Sequence, residues 1–328
     1  MKYITLVFVG FLWFLGCSPR TANWMADKGL VKDDYRYGDL YRMANLPKFK
    51  SEKPQCENIK PQKTDGLHLV LAGDSFTEDG RMAADDFVAE KFSKIRVDQQ
   101  TFVELSGDDQ NVLIIETVER HFRERFSEQW RGVSFEKTVE KESGLFDWIV
   151  DLKMPYSTEL HSTVLFGYDF TMRIREWKAL LNQKVFERVD EGVKLNASEE
   201  HLLYHLPSKK GISSAFDTIN EKEIDTLVRN VNQTSEYYLS KGFDRVVLSI
   251  IPNKTSILGK DLGTYNELVS KIQNHPDFKV FVIDVYTDFE KMGEKAYALG
   301  DTHWSCEGQY LWLEKANEAI VSDLIELQ

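Results

Sequence analysis

Two short segments far apart in the chain carry the residue types of a nucleophile and its proton carrier. The first reads Leu71-Ala72-Gly73-Asp74-Ser75-Phe76-Thr77 and the second Gly300-Asp301-Thr302-His303-Trp304. A serine hydroxyl is a poor nucleophile at neutral pH and needs an adjacent base to take its proton. Histidine suits that work because its ordinary pKa lies near the working pH. Asp301, two residues before His303, can hold the imidazole in the right tautomer and stabilise the imidazolium that forms. Ser75, His303 and Asp301 are therefore the candidate catalytic residues. The backbone N–H of Ser75 is a natural oxyanion donor, and Asp74, Asn253, Lys254 and Trp304 are candidate oxyanion or substrate contacts.

Each motif also has a plain structural reading. Gly-Asp-Ser suits a strand-to-helix turn capped by Ser or Asp. Asp-Thr-His-Trp suits a helix cap followed by a core tryptophan. Glu119 and Arg120 read as a buried structural ion pair or as substrate contacts, and Lys254 as a solvated loop residue or a substrate contact. His201 and His205 have helical i, i+4 spacing, but the glutamate of a His-Glu-x-x-His metal site is missing; no metal and no cofactor is expected. Phe166, Tyr168 and Phe170 read as a core strand or the lining of a sugar cleft.

The body of the chain alternates between strand-like and helix-like patterns in α/β fashion. Strands are predicted at 67–72, 112–115, 246–251 and 280–285. Helices are predicted at 81–92, 116–126, 172–186, 219–241, 265–272 and 309–324, with a short one near 35–43. Gly242 is placed to end the helix over 219–241. Residues 130–165 read as an insertion, β-rich and lid-like. In an open parallel sheet, functional groups gather beyond the carboxyl ends of the strands. Ser75, Asn253 and the Asp301/His303 loop all follow such ends.

With 328 residues and 42% of them hydrophobic, the chain can bury a sizeable core. The net charge of −12, with no basic run, argues against nucleic acid as a partner. At the N-terminus, Lys2 precedes an apolar stretch from Tyr3 to Phe14 and then Leu15-Gly16-Cys17. That is the layout of a signal peptide over residues 1–16, and the apolar run is shorter than the ~20 residues a membrane span needs. A cysteine straight after Leu-Gly resembles a bacterial lipobox, which makes Cys17 the lipidated residue and the protein extracytoplasmic and membrane-anchored. Residues 17–64, with Pro47, Pro54 and Pro61, read as a lipidated tether and lead-in, and 65–328 as the catalytic domain. With Cys17 assigned to lipid, Cys56 and Cys306 form an even pair in a compartment where disulfides persist. The competing reading is two unrelated cysteines, one buried and one exposed.

The chain resembles the SGNH (GDSL-type) hydrolase superfamily, and within it the alginate O-acetyltransferase-like branch with the DHHW motif. The resemblance spans roughly residues 65–328. It rests on Gly73-Asp74-Ser75-Phe76, on Asp301-Thr302-His303-Trp304 with Gly308, on Thr117-Val118-Glu119-Arg120 and on Ile251-Pro252-Asn253-Lys254. It implies a three-layer α/β sandwich with a central, mostly parallel sheet, and an acyl-serine mechanism with Ser75 as nucleophile, His303 as base and Asp301 as its partner. The serine motif comes first here, whereas the alginate proteins place it after Asp-x-His, so the chain looks circularly permuted relative to them. No Gly-x-Asn-Asp block is present. The partners implied are a carbohydrate substrate, the membrane through the lipid anchor and a membrane acyl-donor protein. The activity implied is acetyl transfer or removal on a polysaccharide; a carbohydrate-binding or assembly lipoprotein that keeps the fold without turnover is the reading from another class.

Overall fold

The computed structural model describes residues 2–16, 24, 28–29, 35–136 and 167–326. The chain divides into two compact units, Met1–Lys53 with Val139–Asp190, and Pro54–Thr138 with Glu191–Gln328. Most of the expected insertion at 130–165 lies outside the described residues, as does Cys17.

In the first unit the described helices are α1 (Lys2–Gly16), α2 (Asp39–Ala44) and α4 (Asp169–Phe186). No described helix is long and apolar enough to cross a membrane. The Tyr41 hydroxyl donates to Glu176 at 2.5 Å, and Lys50 pairs with the same carboxylate at 2.8 Å. Tyr168 and Phe170 stand exposed at the start of α4, which overturns the core-strand reading; Phe166 lies outside the described residues.

The second unit is an α/β sandwich. Its strands are β1 (Thr64–Gly73), β2 (Ala89–Arg96), β3 (Thr101–Phe102), β4 (Gln110–Val118), β5 (Val133–Ser134), β6 (Val193–Leu195), β7 (Leu202–Tyr204), β8 (Arg245–Ile251) and β9 (Phe281–Val282). Its helices are α3 (Glu119–Arg125), α5 (Glu221–Ser240), α6 (Lys254–Leu258), α7 (Leu268–Gln273), α8 (Tyr286–Met292) and α9 (Cys306–Glu326). Five strands form one sheet in the order β2-β1-β4-β8-β9, every pair parallel. Both faces of such a sheet are covered, so its inner strands are near-continuous apolar runs.

Alternate side chains supply the two faces. Leu67, Leu69, Leu71, Val112, Ile114 and Val247 pack on one side with Trp312, Leu313 and Ala316 of α9. Val70, Ala72, Leu113, Ile115, Val246 and Leu248 pack on the other with Ile224, Leu227, Val228 and Val231 of α5. The Asn220 side chain caps α5 by accepting from Glu223 N, and Gly242, at φ 102°, turns the chain out of it. The chain leaves β1 for β2 on one side and returns to β4 on the other. The carboxyl ends of β1 and β4 are therefore the sheet's switch point, where open α/β sheets bind their ligands.

Several elements depart from the sequence reading. Residues 81–92 are not a helix: a single 3₁₀ turn at Ala84–Asp86 leads into β2. The segment is rich in helix formers, but from Ala89 on it belongs to an edge strand, paired with β1 in register from Leu69↔Phe92 to Gly73↔Arg96, an instance of tertiary context overriding propensity. The helix expected from 116 begins only at Glu119, because Glu116–Val118 still pair with Ser249–Ile251. The last strand is cut to Phe281–Val282, and Asp284 then accepts from Tyr286 N to start α8. His201 and His205 flank the short strand β7, so they have no helical spacing.

Candidate active site

Ser75 sits in the turn that follows β1, half-buried and open to solvent on one side. Two carboxylates from that turn and from β4 fix it. Asp74 accepts from Phe76 N at 3.2 Å and from Val118 N at 2.8 Å. Glu116 Oε2 accepts from Asp74 N at 2.9 Å and from the Thr77 hydroxyl at 3.1 Å. Gly73 is required by this close approach: a Cβ there would lie 1.8 Å from Thr77 Oγ1 and 3.1 Å from Glu116 Oε2. Burial pushes the Glu116 carboxyl well above the usual range, and the neighbouring Asp74 charge adds to it. Asp74 is thus spent on the backbone; as a carboxylate acceptor it does not serve as the oxyanion donor. The Ser75 N–H, in contrast, has no acceptor among the described residues and is free to receive one.

Asp301 and His303 lie on the loop before α9. The Asp301 carboxylate meets His303 Nδ1 at 2.6 Å, and His303 Nε2 meets Ser75 Oγ at 2.8 Å. Arg81 adds a nearby positive charge, its Nη2 3.7 Å from Asp301 Oδ2. Phe76 packs against the imidazole at 4.7 Å and edge-on to Trp304 at 5.1 Å, fixing the ring's plane. A serine hydroxyl, an imidazole and a buried carboxylate in one hydrogen-bonded chain can move a proton from Oγ as it attacks an acyl carbon.

Lys254 is neither a solvated loop residue nor a substrate contact. It is 2% exposed, and its ammonium donates to the carbonyls of Ala298, Leu299 and Asp301 at 2.6, 3.0 and 3.1 Å. It clamps the loop that carries Asp301 and His303. Trp304 is wholly buried between Phe76 and Trp312, so it belongs to the core rather than to a substrate surface. Cys56 and Cys306 are joined by a disulfide, their Cα atoms 5.2 Å apart, which ties the lead-in to the first residue of α9. Gln309 repeats the tie one turn later, donating to Asn58 Oδ1 at 2.7 Å and to Arg81 O at 3.0 Å.

Glu119 and Arg120 do not pair. Glu119 is fully buried and accepts from Asn253 N at 2.8 Å and Ser256 Oγ at 2.6 Å; burial raises its pKa. It fixes the junction of β8 and α6 to the end of β4. Asn253 is 8% exposed, and its Oδ1 is buried with no partner among the described residues. Burial first, and then the Lys254 charge, push His201 down to about 4. The sequence reading misses Glu116 and Arg81; the signal for the first is an acidic residue inside the apolar run Val112-Leu113-Ile114-Ile115-Glu116.

Compared with protein-family models, with curated proteins and with solved structures, the chain matches none of them.

Proposed function

We propose that this chain is an SGNH-type serine acyltransferase or esterase that moves or removes an acyl group, acetyl foremost, on an extracytoplasmic carbohydrate. The observation that carries the reading is the unbroken chain Ser75 Oγ, His303, Asp301, with distances of 2.8 and 2.6 Å. Ser75 Oγ attacks the carbonyl carbon of an acyl ester while its proton passes to His303 Nε2. The oxyanion that forms is met by the Ser75 N–H. Collapse breaks the bond to the donor alcohol, which takes the proton from His303 and leaves an acyl-serine. A sugar hydroxyl or water then gives its proton to His303, attacks the ester and frees Ser75. No cofactor enters these steps.

Cys17 is proposed as the lipid anchor and the protein as lying outside the cytoplasm. The Cys56–Cys306 disulfide supports that placement, since such bonds persist in oxidising compartments. Product analysis with an acetyl ester donor and a panel of oligosaccharides separates the outcomes. Acetylated sugar marks a transferase and free acetate alone an esterase. Neither product, from protein that binds the glycan, marks a non-catalytic carbohydrate-binding lipoprotein and overturns the proposal.

A further inference from the structure

The first unit holds a helix whose outward face is apolar. At about 100° per residue, Phe170, Ile174, Trp177, Leu181 and Val185 of α4 fall within an arc of about 80°. A helix of a globular unit normally turns such a stripe to the core, yet these five side chains are 48–73% exposed. The opposite face is the one that packs. Met172 and Glu176 are buried there, and Glu176 takes Tyr41 and Lys50. Arg175 Nε donates to Asn45 Oδ1 at 2.9 Å, and Arg36 pairs with Asp169 at 3.1 Å. The lead-in thus covers one face of α4 and leaves the stripe exposed.

Cations flank the stripe. Arg173 and Lys184 fall along one edge and Lys178 along the other, and none of the three has an ion pair among the described residues. The acids of α4 are Asp169, paired with Arg36, and the buried Glu176. In a chain of net charge −12 this face is basic and free of acids. Contiguous exposed apolar side chains mark interaction sites. A convex ridge with three aliphatic residues is no cleft for a sugar ring. It has the layout of a helix lying in the headgroup region of a bilayer, its apolar side chains at the acyl boundary and its Lys and Arg snorkelling to anionic headgroups.

The position of α4 along the chain names the membrane. Arg36, which grips the start of α4, comes 19 residues after Cys17, a reach of at most about 65 Å even fully extended. A chain fixed to a bilayer near its N-terminus keeps α4 close to that bilayer, at an effective concentration that a free helix lacks. We propose that the exposed face of α4 docks on the anionic phospholipid surface of the membrane that holds the N-terminus, so that the first unit rests on the bilayer. The proposal rests on the anchor reading for which membrane is met, and not on how Cys17 is modified.

The test reads Trp177 itself, one of seven tryptophans. Full-chain protein is reconstituted from detergent into vesicles of phosphatidylcholine with phosphatidylglycerol, or of phosphatidylcholine alone. The apolar α1 ties it to them whether or not Cys17 carries lipid, and the floated fraction is measured. Each mixture is used with and without bromine on the upper acyl carbons, and the Trp177 signal is the difference between the parent and Trp177→Phe. On phosphatidylglycerol vesicles that signal is expected to lose about half or more of its intensity to bromine. Neutral vesicles are expected to quench it at least about twofold less, and so is the loss of charge in Arg173→Gln with Lys178→Gln and Lys184→Gln. Ile174→Glu with Leu181→Glu is expected to abolish the quenching. Circular dichroism and thermal melting show that these exposed substitutions fold, and the charge variant carries the test if the glutamates do not.

A Trp177 signal untouched by bromine, quenched as strongly on neutral vesicles, or still quenched after Ile174→Glu with Leu181→Glu overturns the proposal. So does a Trp177 kept from bromine in a chain that crosslinks to a second copy, which would make the stripe an interface between copies. Intact mass of protein extracted from cell membranes reads Cys17 separately. An unmodified cysteine with a quenched Trp177 fails only the lipid reading, and an acylated one with an unquenched Trp177 fails only the docking.

Discussion

The turn that carries Ser75 is held to β4 by carboxylate acceptors, Asp74 in the turn and Glu116 in the strand, whereas the loop that carries Asp301 and His303 is held from α6 by a donor. On the first side, Asp74 and Glu116 collect backbone N–H groups and a hydroxyl. On the second, the Lys254 ammonium collects three carbonyls. Both segments are irregular backbone in a buried place, where every N–H and C=O needs a partner. A tight turn beyond a strand points its N–H groups inward and calls for carboxylates. The longer loop points carbonyls inward and calls for a cation. The two halves of the site are thus held by different means; they meet at the hydrogen bond between His303 Nε2 and Ser75 Oγ, where Phe76 packs on the imidazole, and where Arg81 stands beside Asp301.

The largest effect is expected where they meet. Ser75→Ala and His303→Ala should each lower kcat by on the order of 10⁴-fold or more, with the double variant little worse than either, as for residues that act as a unit. Additive losses in a steady-state assay with a chromogenic acetyl ester would show that the two sides work separately.

The loop side should be the more sensitive to losing its clamp. Lys254→Met leaves three inward carbonyls without their donor; stability is expected to fall by on the order of 2–4 kcal/mol in urea unfolding. A displaced His303 is expected to lower kcat by on the order of 100-fold. The disulfide pins the same loop from its other end, across 250 residues. Cys56→Ser with Cys306→Ser should remove up to about 5 kcal/mol of stability but less activity than Lys254→Met, because the ammonium still holds the loop. A kcat for Lys254→Met within about twofold of the parent would break the comparison, since misplacing a catalytic group should cost far more.

The smallest effect is expected on the nucleophile side. Glu116 has its folded pKa raised by burial and by Asp74, so the folded chain binds its proton more tightly than the unfolded one. That contribution to stability is complete below the ordinary pKa of 4.5 and is lost as pH rises through the higher folded value. Glu116→Gln keeps an acceptor for Asp74 N and Thr77 and carries no charge. It should leave stability at neutral pH unchanged or greater, and should flatten the decline above pH 4.5. Urea midpoints across that range check it; an unchanged slope would place the titration elsewhere.

Much of the sheet was legible because buried parallel strands read as apolar runs: Leu67–Ala72, Val112–Ile115 and Val246–Ile251 all lie within observed strands. The amphipathic α5 and its terminating Gly242 were legible from helical period and turn chemistry. Ser75, Asp301 and His303 stand out by residue type; Ser75 lies just beyond β1 as expected, but the Asp301/His303 loop does not follow a strand end, since α8 and a 3₁₀ turn at Gly293–Ala296 separate it from β9. What holds them does not stand out. Lys254 looks like any loop lysine in sequence, and only the packing of α6 against the 298–301 carbonyls buries it. Residues 89–96 have helix-forming composition, and only pairing with β1 makes them a strand.

The central claim is that Ser75 accepts an acyl group. Purified protein is mixed with an activated acetyl ester, quenched in acid within the turnover time and analysed by intact mass, followed by peptide mapping. The account predicts one acetyl group per chain, located on Ser75, absent in Ser75→Ala and no longer formed in His303→Ala. An adduct on another residue, or none in a protein that still turns the ester over, would contradict it.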